Sequence, residues 1–445
     1  DEDWERLEEQ RLSPLYVSVH ASEPELRRSL LGRAEIPDIL PQIDRLAELG
    51  GNGLFHPSSI GICFPSETAH FLLFGYDLKN FPGRGLFEAV GEGVSFHNDD
   101  VLVLAHISGV IWENNRPVLT LGRDNIKGTF EDISRLYSVI SSYESEGVSI
   151  RLQQTRRNDA ILVLNGPVSP YISDSDPIIL GKPVSKIVPL SENPEPEKSR
   201  QTAKALNNYL TFCYHQLKNT VIRDLSQGSK PPAEYFLVTQ RSGRRIDLLP
   251  FQQRWGFNGL MIASPSVYEG LAHELGIEYQ SVQDSEDPGL DLKDRIRLAL
   301  SDPTHDFIHV HTKVPDEAAH TGDPIYKKDQ ISRLDRGLKE LLNAVKKEED
   351  LLVVITADHS TPSISPMIHS GETVPVIMAG PSVRRDNVKI FSEIHAARGC
   401  LGMLRGVELM LMILNFSNRG NLYGHQLGPI KRWYLPSDDD PFELI

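Results

Sequence analysis

A doubly wound α/β fold is the architecture this sequence predicts, and three observations carry the prediction. Two short apolar runs rich in β-branched residues, Phe307-Ile308-His309-Val310-His311 and Leu351-Leu352-Val353-Val354-Ile355, read as buried strands. Strand and helix patterns alternate from residue 234 to the end of the second run, as in a sheet whose strands are joined by helical crossovers. Acidic and imidazole residues follow directly after both runs, at the strand ends where open α/β sheets collect their chemistry. A chain of 445 residues, 40% of them hydrophobic, is long enough for two domains with a sizeable core.

In chain order, residues 15–19 (Leu15-Tyr16-Val17-Ser18-Val19) suit a first strand ending at His20. Residues 37–50 suit a helix with Ile39, Ile43, Leu46 and Ala47 at core spacing. After a loop, Ser66 is placed to cap a turn starting at Glu67. A polar, proline-marked loop at 192–198 leads into a helix reaching Lys218, apolar at Ala205, Leu206, Leu210 and Tyr214. Strands are expected at 234–238 and 259–263, the latter followed by a helix through Leu271. Residues 325–347 read as one amphipathic helix with a solvated charged face. The apolar stretch 407–416 contains Glu408 and is too short to span a bilayer. Beyond Asn421, the pair Trp433-Tyr434 suits docking on the body of the protein.

A net charge of −15 argues against nucleic acid or an anionic membrane as a general partner. Cys63, Cys213 and Cys400 are scattered and odd in number, which fits a reducing compartment better than a disulfide framework. The charged opening residues do not form a secretory leader, so the expectation is a soluble, cytoplasmic protein.

Asp358 and His359 sit just past the second strand run, and His369 lies on the loop that follows. Taken alone, Asp358 also suits a turn cap and the histidines a solvated surface. Upstream, Asp316 and His320 follow the first run at i, i+4, so one helical turn brings both to one face. Carboxylate and imidazole donors delivered by two strand ends can build a two-metal site, the usual device for phosphoryl displacement.

The sequence resembles the archaeal-type, cofactor-independent phosphoglycerate mutases of the alkaline phosphatase superfamily. The resemblance is carried in order by Pro65-Ser66-Glu67-Thr68-Ala69-His70, Gly83-Arg84-Gly85-Leu86-Phe87-Glu88-Ala89, Asp316-Glu317-Ala318-Ala319-His320, Asp358-His359-Ser360-Thr361-Pro362, His369-Ser370-Gly371 and Gly399-Cys400-Leu401-Gly402. It implies an alkaline-phosphatase-like core in two parts, 1–94 and 236–420, interrupted by a smaller α+β lid at 95–235, with 421–445 extending past the family. It also implies two divalent ions, Mn²⁺, Zn²⁺ or Mg²⁺. One would be held by Asp316, His320 and His369, the other by Asp358, His359 and Ser66. Ser66 would be the nucleophile that takes up the phosphoryl group, and the substrate a small phosphorylated metabolite, as in the glycolytic interconversion of 2- and 3-phosphoglycerate.

The sequence departs from the family pattern in two regions. The family's first strand ends in a metal-binding aspartate, and the counterpart here is His20, which suits a capping or solvated histidine better than a ligand. Residues 13–21 are instead similar to a stretch in iron–sulfur proteins of radical-enzyme type, without a cysteine cluster. In the lid, Arg123 matches an arginine of the substrate grip. Val103-Leu104-Ala105-His106 and Asn158-Asp159 stand where further grip residues are usual, with Arg156 and Arg157 just upstream as substitutes and Lys313 as another phosphate contact. These changes leave open a phosphatase on a related ester. They also leave open a second class, a member that binds or scaffolds without turnover.

Overall fold

The computed structural model describes residues 40–436, apart from 124, 125, 127, 157, 221–224, 226–233, 265 and 365–367, together with 442–444. The expected strand at 15–19, His20 and Arg157 lie outside the described residues. The chain divides into two compact units. The first takes the stretches up to Phe81, Leu249–Ser264 and from Leu275 onward; the second takes Pro82–Leu248 and Pro265–Glu274. In chain order the strands are β1 (Gly51–His56), β2 (Val101–Glu113), β3 (Arg116–Leu121), β4 (Ser142–Ser145), β5 (Val148–Gln154), β6 (Ala160–Asn165), β7 (Glu234–Gly243), β8 (Gly259–Ala263), β9 (Glu278–Ser281), β10 (Phe307–Val310), β11 (Val353–Ile355), β12 (Val374–Ala379) and β13 (Gly402–Arg405).

In the first unit, four strands pair in the order β11-β12-β1-β13, and three in the order β10-β8-β9. The second of these sheets is fully parallel. In the first, β13 runs parallel to β1, but β12 is antiparallel to both of its neighbours. The run at 351–355, expected as a buried parallel strand, is therefore a three-residue edge strand antiparallel to β12, with only Val353 fully buried. The run at 307–311 shortens to β10, another edge, and its four residues are half-buried. A strand with one neighbour keeps one side open, which is why these apolar runs are less enclosed than their composition suggests.

Helix Pro41–Leu49 packs Ile43, Leu46 and Ala47 into a core shared with Ile296, Leu342 and Ile377. Its first N–H groups have no partner within the helix. The buried carboxylate of Asp335 supplies one, accepting from the Ile43 N–H at 2.9 Å and the Gln42 N–H at 3.2 Å. The helix expected across 325–347 is two helices, Pro324–Gly337 and Lys339–Lys347. The break falls where Gly337 meets a neighbouring backbone: a Cβ there would lie 2.5 Å from the Gly289 carbonyl oxygen. Tyr434 bridges to Gly420, and the Asn421 N–H donates to the Trp433 carbonyl at 2.8 Å, so the aromatic pair is tied back to the first unit.

The second unit is built on an antiparallel sheet, β3-β2-β6-β5-β4, with β7 also paired to the long β2. One face is covered by helices Phe130–Ser138 and Pro196–Lys218, which bring Leu136, Leu206 and Tyr209 onto Val101, Val103, Ile150 and Leu162. Alternate residues Leu102, Leu104, Ile161 and Val163 face the other way, onto Ala89 of helix Arg84–Gly91. The boundaries expected at 95 and 235 thus fall inside this unit, which takes in that helix and the whole of β7. Among the described residues no helix is long and apolar enough to cross a membrane.

Candidate metal centre

Ser66 is the first residue of helix Ser66–Leu73, and Pro65, with extended backbone, occupies the cap position. The capping role expected for Ser66 is corrected accordingly. Inside the first turn its hydroxyl does not reach back to the helix amides, and Oγ lies 3.0 Å from Nε2 of His359 instead. One turn later on the same helix, His70 Nδ1 is 2.8 Å from the Ser66 carbonyl oxygen and 3.3 Å from Asp358 Oδ2. Both neighbours are acceptors, so Nδ1 carries the proton and orients the Asp358 carboxylate.

Asp358 and His359 follow β11, with His359 Nε2 3.2 Å from Asp358 Oδ2. Asp316 lies in helix Val314–His320, and the i, i+4 spacing brings His320 Nε2 to 3.2 Å from its Oδ1. The same oxygen lies 3.4 Å from His369 Nε2 and accepts from Thr361 Oγ1 at 2.9 Å. The His359 and His369 rings stack with centroids 3.8 Å apart. Their loops are joined by a bridge between Ser360 and Ser370. Beside it, Gly371 touches another backbone: a Cβ there would lie 2.2 Å from the carbonyl carbon of Gly61, so this close approach is open only to glycine.

Six side chains singled out from the sequence (Ser66, Asp316, His320, Asp358, His359 and His369) thus stand together in the first unit. Lys313 precedes the Val314–His320 helix and is half-buried. Arg123 and Arg156 belong to the second unit, where each is already engaged by carboxylate. Arg123 forks onto Asp159, with Nε 2.9 Å from Oδ1. Arg156 Nε donates to Glu92 at 3.2 Å.

The donor set fits divalent cations. Asp316, His359 and His369 each offer a ligand atom within 4.8 Å of one another. His369 Nδ1 faces the Phe64 carbonyl at 2.8 Å and must carry its proton there. Without a second proton, Nε2 is a lone pair facing a carboxylate oxygen, and two acceptors at 3.4 Å repel unless a proton or a metal cation lies between them. Donors spaced by 3.2 to 3.4 Å match the edge of a tetrahedron around an ion with ligand distances of roughly 2.0–2.1 Å.

Burial opposes ionisation of Asp316 and Asp358, but the facing imidazoles, when they carry protons toward the carboxylates in place of a metal cation, outweigh it and hold both carboxyls below the usual carboxylate range. His320 and His369 act on Asp316, and His359 and His70 on Asp358. Burial is also the chief cause of the lowered pKa of His359. Behind these residues lies a histidine layer that the reading of the sequence passed over. His309, on β10, and His311, just past its end, both pack edge-on against His70, at centroid distances of 5.3 and 4.9 Å. Burial, reinforced by His70, pushes His309 down to about 3, and its Nε2 is buried with no hydrogen-bond partner. The signal was the i, i+2 spacing of two histidines at a ligand-bearing strand end, and the i, i+4 spacing of His70 from Ser66.

An α/β core that gathers serine, aspartate and histidine at strand ends defines a class, and the family model described as the metalloenzyme superfamily matches residues 38–416. The chain is 38% identical to a 2,3-bisphosphoglycerate-independent phosphoglycerate mutase of Methanocaldococcus jannaschii, over 90% of this chain and 92% of that protein. It is 33% identical to the enzyme of the same name from Methanopyrus kandleri, over 86% and 91%. The fold is shared with a Pyrococcus horikoshii protein, TM-score 0.64 at 24% identity, covering 87% of this chain and 92% of that one. It is also shared with the cofactor-independent phosphoglycerate mutase of Thermoplasma acidophilum, TM-score 0.52 at 25% identity, covering 85% and 91%. The chain belongs to the metalloenzyme superfamily and, within it, to the family of the archaeal 2,3-bisphosphoglycerate-independent phosphoglycerate mutases, which are isomerases. A radical SAM-like domain model also matches residues 1–52, in keeping with the resemblance noted at 13–21.

Proposed function

We propose that the chain interconverts 2- and 3-phosphoglycerate by phosphoryl transfer through a phosphoserine at Ser66. The observation that carries this reading is the 3.0 Å approach of Ser66 Oγ to His359 Nε2, between two Asp/His clusters. A serine hydroxyl is a weak nucleophile until its proton is taken up or its acidity raised. Two divalent cations, one held by Asp316, His320 and His369 and one by Asp358, His359 and Ser66, would supply that acidity and neutralise phosphate charge. The protein's own residues do the rest. The helix start at Ser66 aims Oγ at the site, and its amides favour an anionic phosphoserine. His70 holds Asp358, and Phe64 holds His369, each through Nδ1. The cytoplasmic location expected from the sequence belongs to the same reading.

A second reading, a phosphatase on a related phosphate ester, is favoured by the fork between Arg123 and Asp159, which neutralises the arginine matched to the family's substrate grip. A coupled assay converting 3-phosphoglycerate to 2-phosphoglycerate with manganese, run beside hydrolysis of an aryl phosphate, separates the two. Mutase turnover that disappears in Ser66→Ala supports the first reading. Hydrolysis without isomerisation replaces it with the second.

A further inference from the structure

Thr361 is 7% exposed, and its hydroxyl touches both halves of the centre. It lies 2.9 Å from Asp316 Oδ1 and 3.1 Å from His359 Nδ1. A hydroxyl has one proton to give, and a carboxylate can only accept. The Thr361 proton therefore goes to Asp316, and the bond to His359 must be donated by Nδ1–H of the ring. With its proton on Nδ1, the neutral imidazole presents a bare Nε2 on its far side, 3.0 Å from Ser66 Oγ and 3.2 Å from Asp358 Oδ2. The hydroxyl is itself held in place. Lys327, on helix Pro324–Gly337, donates Nζ to the Thr361 carbonyl at 2.6 Å and clamps the backbone beneath it.

We infer that Thr361 is a positioning residue that sets the tautomer of His359 and aims its Nε2 lone pair at Ser66 and the ion beside it. The same hydroxyl supports Asp316, so one side chain tunes a ligand of each proposed metal. Because Thr361 acts through these neighbours, it neither attacks nor ligates. The inference rests on the metal-site reading above. Outer partners of metal-bound imidazoles and carboxylates typically contribute 10–100-fold in metal affinity.

The test uses the full metal-free chain and manganese alone. Thr361→Val keeps the side-chain shape and deletes the hydroxyl. Titration calorimetry should show manganese affinity weakened by about 10–100-fold, with Thr361→Ser restored close to the original protein. Long-range ¹H–¹⁵N spectra of histidine-labelled protein should show one fewer ring protonated at Nδ1 in Thr361→Val than in the original. An unchanged affinity, an unchanged tautomer count or a serine variant as weak as the valine one overturns the inference. Thr361→Ala, which leaves room for water rather than a methyl, serves the same comparison if the valine variant does not fold. If the original protein binds no manganese, the metal reading fails, and the tautomer count still decides the role of Thr361.

Discussion

Ser66 Oγ and His359 Nε2 stand 3.0 Å apart although 293 residues separate them in the chain. One comes from the start of a helix and the other from the loop after an edge strand. The helix therefore supplies the direction of the hydroxyl, and the loop supplies its partner. Because Ser66 carries no cap, Ser66→Ala removes one hydrogen bond and should cost about 1 kcal/mol of stability. Phosphoryl transfer should fall on the order of 10³-fold or more, as when an attacking group is deleted. Retained turnover, measured beside a denaturation midpoint, would move the chemistry away from Ser66.

Metal should stabilise the fold measurably. At a manganese concentration one hundred times its dissociation constant, the folded chain gains about 2.7 kcal/mol. A chelator should lower the melting temperature, and manganese should restore it. His320→Ala removes one of the donors around Asp316 and should shrink the manganese-induced rise. A rise equal to that of the original protein would take His320 out of the ligand set.

Asp335 caps a helix nearly 300 residues earlier in the chain, accepting from the Gln42 and Ile43 N–H groups. Asp335→Ala leaves these donors unpaired inside the core and should cost about 1–3 kcal/mol. Asp335→Asn, which keeps an acceptor oxygen, should lose less. A urea midpoint identical to that of the original protein would show that water replaces the cap.

Asp386 gives a pH dependence with a defined sign. Its carboxylate accepts from the Asn52 N–H at 2.8 Å, the Asn52 side-chain amide at 3.0 Å, and the Val388 and Cys400 N–H groups at 2.9 Å each. Burial would raise its pKa, but these bonds outweigh it, and the folded value lies below the usual carboxylate range. A depressed pKa gives stability that is fully present above the unfolded value, roughly 3.9, and is lost as pH falls through the folded one. Asp386→Asn should therefore be less stable than the original near neutrality, with the gap narrowing below about pH 4. A gap constant across that range would discount the ionised form.

The fork between Arg123 and Asp159 predicts slow mutase turnover, well below the ~10 per second typical of enzymes. Asp159→Asn weakens the fork and should raise kcat/KM for 3-phosphoglycerate by about tenfold, the worth of one charge-assisted bond of roughly 1.5 kcal/mol. No gain in Asp159→Asn would mean that Arg123 does not grip the substrate.

Much of this centre was legible in the sequence because its residues follow strand ends at short, regular spacings: Asp316 and His320 on one turn, Asp358 and His359 side by side. What was not legible depends on contacts between distant segments. Nothing near Asp335 in the chain marks it as a cap for Gln42, and nothing near Thr361 announces the two partners of its hydroxyl. The strand runs were found, but their pairing was not. Apolar content does not distinguish a central strand from β10 or β11, which end their sheets. The serine was found through its motif and given the wrong local role, because the proline before it already holds the cap position.

The separation of Ser66 from His359 has a consequence for the newborn chain. The first unit is assembled from three separate stretches, while most of the second is one continuous run. After Ser66 a ribosome must make every residue of the second unit before Asp316, His359 and His369 emerge. The second unit has all of its sequence in hand by then and can condense first. Ser66 waits, without its partners, until the whole of the second unit has been made.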